Sequence, residues 1–460
     1  MKRLLFAMLL LAAGTASAQF PNTLSAADKV YGLSRFWQEV NYNFAYLNKV
    51  DRKAWDSAYR SLIAEVQATK NDYDYYRELQ RFCALLNDGH TNVWMPQWKG
   101  APANYTSMFG DYRLFLENIG GKAIVVRTNT AKKDEIPVGS EVTEVNGMPV
   151  KQYMAKYVTP YISSSTDYVR EDWSIANLLS GFEGDKYQVT LRRPDGKVLR
   201  LDLTHAKTLD ESVFPAFPPN RALLDFRWLD GGIAYVSLNG FSDPKIDTLF
   251  ENILPELHKA KGLVIDLRYN GGGSTGIGRE ILQYLTSDTV LYGSRISSRL
   301  HVPAFKAWGK YTKPADTTGN AWQRRALLSF QDNYWHFFDY EPDTVHLPAK
   351  RIVVPTALLT GHQTASAAED FLIYADNQKH MTRIGEHSFG STGQPYQFDL
   401  PGGGGARVCT KKDTYPDGRE FVGVGIIPHI EVKRTVNDYL TGKDPVLERA
   451  QEHLKRAMKR

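Results

Sequence analysis

Three short stretches carry the residue types of nucleophilic chemistry. In TGHQTASAAEDF, residues 360–371, an apolar run over 353–359 reads as a strand that ends in a turn, and Ser366 falls where a helix begins. Backbone N–H groups and the positive dipole end of a helix can stabilise an oxyanion formed when that hydroxyl attacks a carbonyl. Serine is also a favoured helix cap, so this segment admits both readings. A serine nucleophile needs a base. LNDGHTNV, residues 86–93, offers His90 in a turn of Asn, Asp, Gly and Thr. His362 and His387 are nearer in sequence, and chain order does not choose among the three. The third stretch is GLVIDLRYNGGGSTGIG, residues 262–278, in which five glycines fall within eight residues after an apolar run. It reads as a buried strand, a glycine loop and a helix start.

Gly271, Gly273 and Gly276 fit G-x-G-x-x-G, but the context does not suit a dinucleotide. The loop lies in mid-chain, and Asp288, near the spacing of a ribose ligand, sits in SDT and not at a strand end.

The elements around these stretches divide the chain. Residues 1–18 have a basic start (Lys2, Arg3), an apolar run from Leu4 to Ala13 and a small-x-small site at Ala16–Ala18. That is the pattern of a cleaved signal peptide, too short to span a bilayer. Residues 19–105 read as an N-terminal helical domain whose aromatic stripe (Trp37, Tyr42, Phe44, Trp55, Tyr59) packs a core. Residues 106–210 are β-rich, with Asn-Gly and Asp-Gly turns and a more helical stretch over 151–180. FPAFPPN, residues 214–220, marks the next boundary. In 211–436, strands (GIAYVSL, GLVIDLRYN, RIVVPTALLTG, MTRIGE) alternate with helical segments over 245–260, 276–287 and 366–378, which predicts an α/β core with a mixed sheet. Residues 437–460 read as one closing helix. The fold class is thus α/β, multi-domain.

Composition narrows the function. The 460 residues are 42% hydrophobic and 23% charged, as in a globular protein. Removing Lys2 and Arg3 from 56 basic residues leaves 54 against 51 acidic, a net charge of +3, too weak and dispersed for a nucleic-acid partner. The basic segment LERAQEHLKRAMKR admits an anionic-surface reading but suits a solvated amphipathic helix better. No later run suits stable membrane insertion. Cys83 and Cys409 are the only cysteines, and an oxidising compartment leaves their pairing open. Neither lies in a Cys/His array and no H-E-x-x-H occurs, so no metal and no cofactor are expected.

Together the stretches resemble the C-terminal-processing (tail-specific) serine peptidases and their tricorn-core relatives. VIDLRYNGGG resembles the family's strand and glycine loop, and TASAAE its nucleophile segment. IGEHSFGSTG resembles the segment that follows, PDGREFVGVGIIPHIEV the closing motif, and GSEVTEVNGMPV the end of a PDZ-like module. The resemblance implies an exported serine endopeptidase acting on peptide or unfolded-protein substrates through an acyl-enzyme, with Ser366 as nucleophile. Gly271 or Gly272 with Ala367 would supply the oxyanion hole. The tail-specific branch has a lysine base 25 residues beyond the nucleophile, where this chain has Ser391. The tricorn branch takes a histidine from a motif like LNDGHT, which places the base at His90. That branch adds a serine before the histidine and a late glutamate. Here the residue before His90 is Gly89, and Val422 and His429 occupy the acidic positions of the closing motif. Glu420, Glu386 and Asp88 remain as candidates to orient His90, with Glu420 ahead. The other reading is a peptide- or ligand-binding protein on the same fold that has lost catalysis. The oligomeric state does not follow from the sequence.

Overall fold

The computed structural model describes residues 19–346 and 350–459; the signal-peptide expectation lies outside the described residues. Three helices open the chain: α1 (Ala26–Asn43), α2 (Arg52–Gln67) and α3 (Asp72–Ala84). Each begins at a side chain that accepts a backbone N–H, from Ser25, Asp51 and Asn71 respectively. After α3 the chain turns through His90 into a short strand, β1 (Asn92–Trp94).

The β-rich module follows. Strands β2 (Tyr112–Asn118), β3 (Ala123–Asn129), β4 (Glu141–Val145), β5 (Lys186–Arg192) and β6 (Val198–Thr204) form an antiparallel sheet in the order β6-β5-β4-β3-β2. Helices α4 (Val150–Tyr157) and α5 (Asp167–Ala176) account for the helical stretch. The Asn146–Gly147 turn takes positive φ at both residues, as a tight hairpin requires. This module has its own core around Val125, Val142, Ile175, Val189 and Leu203.

The α/β core carries a six-stranded mixed sheet. In chain order its elements are β7 (Leu224–Leu229), β8 (Ile233–Leu238), α6 (Lys245–Leu257), β9 (Gly262–Asp266), α7 (Thr275–Leu282), an insert with α8 (Pro303–Gly309) and α9 (Ala321–Phe330), β10 (Thr356–Thr360), α10 (Ala367–Tyr374) and β11 (Met381–Gly385). A hairpin of β12 (Pro395–Asp399) and β13 (Gly405–Cys409) follows, then β14 (Ile430–Glu431). The strand order is β7-β8-β9-β10-β11-β14, with only β7 antiparallel to its neighbour. Alternation along the strands sends Ala234, Val236, Leu263, Ile265 and Leu358 to one face, in one cluster with Phe250, Ile281 and Phe371. Ile233, Val264, Ala357, Leu359 and Ile384 go to the other.

Two sequence expectations change on packing. Leu33, Phe36, Tyr75 and Phe82 of the N-terminal helices share one continuous core with the sheet, so these helices do not form a separate packing unit. The closing segment is two helices, α11 (Val436–Thr441) and α12 (Pro445–Ala457), broken where Gly442 takes φ +66°. The apolar face of α12 (Val446, Leu447, Ala450, Leu454) covers the second face of the sheet. That burial accounts for its amphipathic pattern, and its charged face remains in solvent. No helix of the described residues is long and apolar enough to cross a membrane.

Candidate active site

Ser366 sits on a strained turn between β10 and α10. Its backbone has φ +56° and ψ −121°, a region that non-glycine residues seldom enter. Such strain costs about 1–3 kcal/mol and persists only where the surroundings enforce it. Here they do. Thr364 Oγ1 accepts the Gly361 N–H and donates to Leu267 O, and the Ala365 N–H donates to Asn270 O at 3.0 Å. Glu369 Oε2 accepts the Ser366 N–H at 3.1 Å. A sharp strand-to-helix turn of this kind presents the serine hydroxyl at its apex, with the next N–H beside it.

Glu369 is fully buried and gathers the site. Besides Ser366 it accepts hydrogen bonds from Ser388 Oγ, the Gly390 N–H (2.7 Å) and the Ser391 N–H (3.3 Å). Burial pushes its carboxyl up to about 8, against the pull of those four donors.

The glycine loop lies directly on the turn. A Cβ on Gly272, at φ +95°, would come 2.7 Å from Ala365 O, 2.8 Å from Ser366 Cβ and 2.9 Å from the Ala367 nitrogen. Only glycine permits that approach. The loop is held in turn by Phe241, whose N–H donates to Gly272 O. The Gly272 N–H is already taken by Asn270 Oδ1 at 2.9 Å. The Gly271 N–H makes no hydrogen bond among the described residues, and the Ala367 N–H is an orphan of the α10 N-terminus. Of the two glycines the sequence left open, Gly271 therefore has the available donor and Gly272 supplies the close approach.

His90 joins this network from the other side. Its Nδ1 lies 2.8 Å from Ser391 Oγ, and the Ser391 N–H is bound by the carboxylate that also holds Ser366. No hydrogen bond joins the Ser366 hydroxyl to His90 directly; the two meet through Glu369 and Ser391. Burial lowers the His90 pKa below the ordinary imidazole value, with Arg407 and Lys411 adding to the effect and Asp88 opposing it. His90 is thus neutral near pH 7, the form that can accept a proton.

The other candidates are engaged elsewhere. His362 Nδ1 is 2.6 Å from Asp172 Oδ2 on α5, and its ring lies against Tyr168. Burial disfavours its charged form, but Asp172 and Glu386 outweigh this and raise its pKa. His387 bonds to Val424 O. Glu420, placed first on sequence grounds, is bound to Lys49 and Lys412 and is 43% exposed. Glu386 lies 3.9 Å from His362. Neither carboxylate bonds to His90, which corrects the expectation for Glu420. Asp88 is the acid in the His90 turn: it is buried and accepts from Thr91 Oγ1 at 2.6 Å and Ser165 Oγ at 3.2 Å. Sequence reasoning missed Glu369 and Ser391 as members of the site. Glu369 stands in TASAAE, three residues after Ser366, and Ser391 stands where the resemblance to the tail-specific branch expects a lysine. Cys83 and Cys409 are buried, unbonded thiols on either side of Thr91: Cys83 Sγ donates to Thr91 O, and the Cys409 N–H donates to Thr91 Oγ1.

A groove of about 1110 Å3 runs between the β-rich module and the core, bordered by Leu116–Gly121, α5 and the loop 360–363 that leads to Ser366. Tyr168, which lines it, is tied to the site by a hydrogen bond from its Oη to Ser388 O at 2.6 Å.

The structure thus brings a strained serine, free backbone donors and a histidine into one hydrogen-bonded network. Residues 232–432 match the family described as Peptidase family S41. The chain thus carries a peptidase family S41 domain and is a serine-type peptidase. Among solved structures, mature CPAF complexed with lactacystin is similar at 17% identity and TM-score 0.63, covering 94% of this chain and 98% of that one. Mature CPAF alone is similar at 18% identity and TM-score 0.63, covering 94% and 97%. A photosystem II D1 C-terminal processing protease is similar at 18% identity and TM-score 0.44, covering 88% and 93%. No curated protein matches the chain.

Proposed function

We propose that the protein is an exported endopeptidase in which Ser366 attacks a peptide carbonyl and His90 takes its proton. The Gly271 and Ala367 N–H groups receive the oxyanion, an acyl-enzyme forms on Ser366 Oγ, and His90 returns the proton to the leaving amine before water completes hydrolysis. The observation that carries this reading is the strained Ser366 backbone, held by Glu369 and pressed against Gly272. Strain of that size at one non-glycine residue points to function.

The basic, apolar and small-residue pattern of residues 1–18 supports export. The β-rich module is read as PDZ-like. The groove bordered by β2 and α5 on the module side would receive an extended peptide, and it leads to the loop before Ser366. No step calls for a metal or nucleotide.

Incubation of the purified mature protein with an unfolded protein such as reduced casein tests the activity. New amino termini should accumulate with wild type and fall to background with Ser366→Ala and with His90→Ala. Equal turnover by Ser366→Ala would overturn the assignment.

A further inference from the structure

His90 lacks an acid in direct contact, yet its Nδ1 is not free. A histidine that takes a proton at Nε2 must carry its own proton at Nδ1 and must be held in that tautomer. In that tautomer the Nδ1–H donates to Ser391 Oγ across 2.8 Å. With Oγ used as acceptor, the Ser391 hydroxyl proton is directed elsewhere, and Asp88 Oδ1 lies 3.5 Å from that oxygen. The second contact is long, as such bonds often are in a resting site.

We infer that Ser391 and Asp88 form a hydroxyl–carboxylate relay that orients His90 in place of an acid bonded to the ring. The inference rests on the reading of Ser366 and His90 as nucleophile and base. Both Ser391 and Asp88 are positioning residues, because neither reaches the reacting atoms. No proton travels along the relay: Nε2 gains the Ser366 proton, Nδ1 keeps its own, and Ser391 keeps its own.

Three further observations show that the relay is built into the fold. First, a Cβ at Gly89 would lie 3.1 Å from Ser391 Oγ and 2.8 Å from the Phe389 ring. The empty side-chain position before His90 is the space that the Ser391 hydroxyl and Phe389 occupy. Second, the Ser391 backbone is fixed by Glu369, the group that holds Ser366 in its strained turn, so one carboxylate sets both nucleophile and relay. Third, Asp88 is only 2% exposed and takes hydroxyl donors from Thr91 and Ser165 as well as Ser391. A buried carboxylate so surrounded has one orientation, and its charge supports the imidazolium.

The test is the rate at which a fluorophosphonate labels the full mature protein, measured from pH 5 to pH 9 on variants shown by circular dichroism to be folded. Ser391→Ala should slow labelling about 10- to 100-fold, less than the roughly 10,000-fold loss seen when a directly bonded acid is replaced. Ser391→Thr, which keeps the hydroxyl, should restore most of the rate. Asp88→Asn should slow labelling and also move the acidic limb of the profile to lower pH, because Asp88 raises the basicity of His90. The double variant should be no slower than the worse single one, as for groups acting in series. If wild type labels and His90→Ala does not, but Ser391→Ala matches wild type at every pH, the relay is overturned and the base assignment stands. Wild type that fails to label would overturn the base assignment itself. An unfolded Asp88→Asn leaves Ser391→Ala against Ser391→Thr to decide.

Discussion

The two halves of the site are held in different ways. The half around Ser366, the proposed nucleophile, is set by backbone within one part of the core. Ser366, the glycine loop and Glu369 are fixed by consecutive turns between parallel strands and by a single buried carboxylate. The half around His90, the proposed base, is set by side chains from distant parts of the chain. His90 bonds to Ser391 beyond β11, and Asp88 in the His90 turn bonds to Ser391 and to Ser165 from the β-rich module. A strand-to-helix turn is a local device that folds with its sheet.

This contrast orders the expected effects of substitution. Ser366→Ala removes the proposed nucleophile and should abolish labelling, with the melting temperature little changed, because alanine keeps the Cβ and with it the backbone strain. Gly272→Ala should come next. It places a Cβ within 2.7–2.9 Å of Ala365 O and the Ala367 nitrogen at φ +95°, so stability should fall by about 3 kcal/mol in urea unfolding, with labelling lost. Glu369→Ala leaves four donors without their acceptor and should cost a similar amount, about 3 kcal/mol or more.

Glu369 also gives the nucleophile half a pH signature. Its carboxyl titrates near 8 when folded, against an ordinary value of 4.5, so the folded state holds its proton more tightly than the unfolded chain. That contribution to stability is fully present below pH 4.5 and is lost as the pH rises through 8. Glu369→Gln should flatten this part of the dependence, as read from urea midpoints at pH 5 and pH 8. The smallest effect is expected in the base half. Ser165→Ala removes one donor to Asp88 and the acceptor of the Gly89 N–H, and should slow labelling about two- to five-fold without unfolding the core. A large loss with Ser165→Ala, or none with Glu369→Ala, would break the distinction between the two halves.

The same contrast decides what could be read in the sequence. Strand, turn and helix lie side by side in the chain, so Ser366, the glycine loop and the α/β alternation were legible from local pattern. Glu369 lies three residues from Ser366 and was not read, because its partners at 388–391 are brought to it only by the sheet. The distance of Glu420 from His90 could not be read for the same reason. Glu420 looked suitable beside the closing motif, yet two lysines hold it at the surface. Asp88 stood among the candidates, and the Asp-x-x-Thr spacing of Asp88 and Thr91, now a 2.6 Å hydrogen bond, was the local signal that favoured it. The N-terminal helices gave the right elements, but no pattern told that Phe36 and Phe82 join the core of the sheet. The single closing helix was broken by Gly442, whose left-handed backbone ends α11.

The most direct test of the central claim is to react the folded mature protein with a fluorophosphonate, digest it and locate the adduct by mass spectrometry. The account predicts one adduct, on Ser366, absent when either Ser366 or His90 is replaced by alanine. An adduct on another residue, or a folded wild type that remains unmodified, would contradict it and favour a binding protein on a peptidase fold.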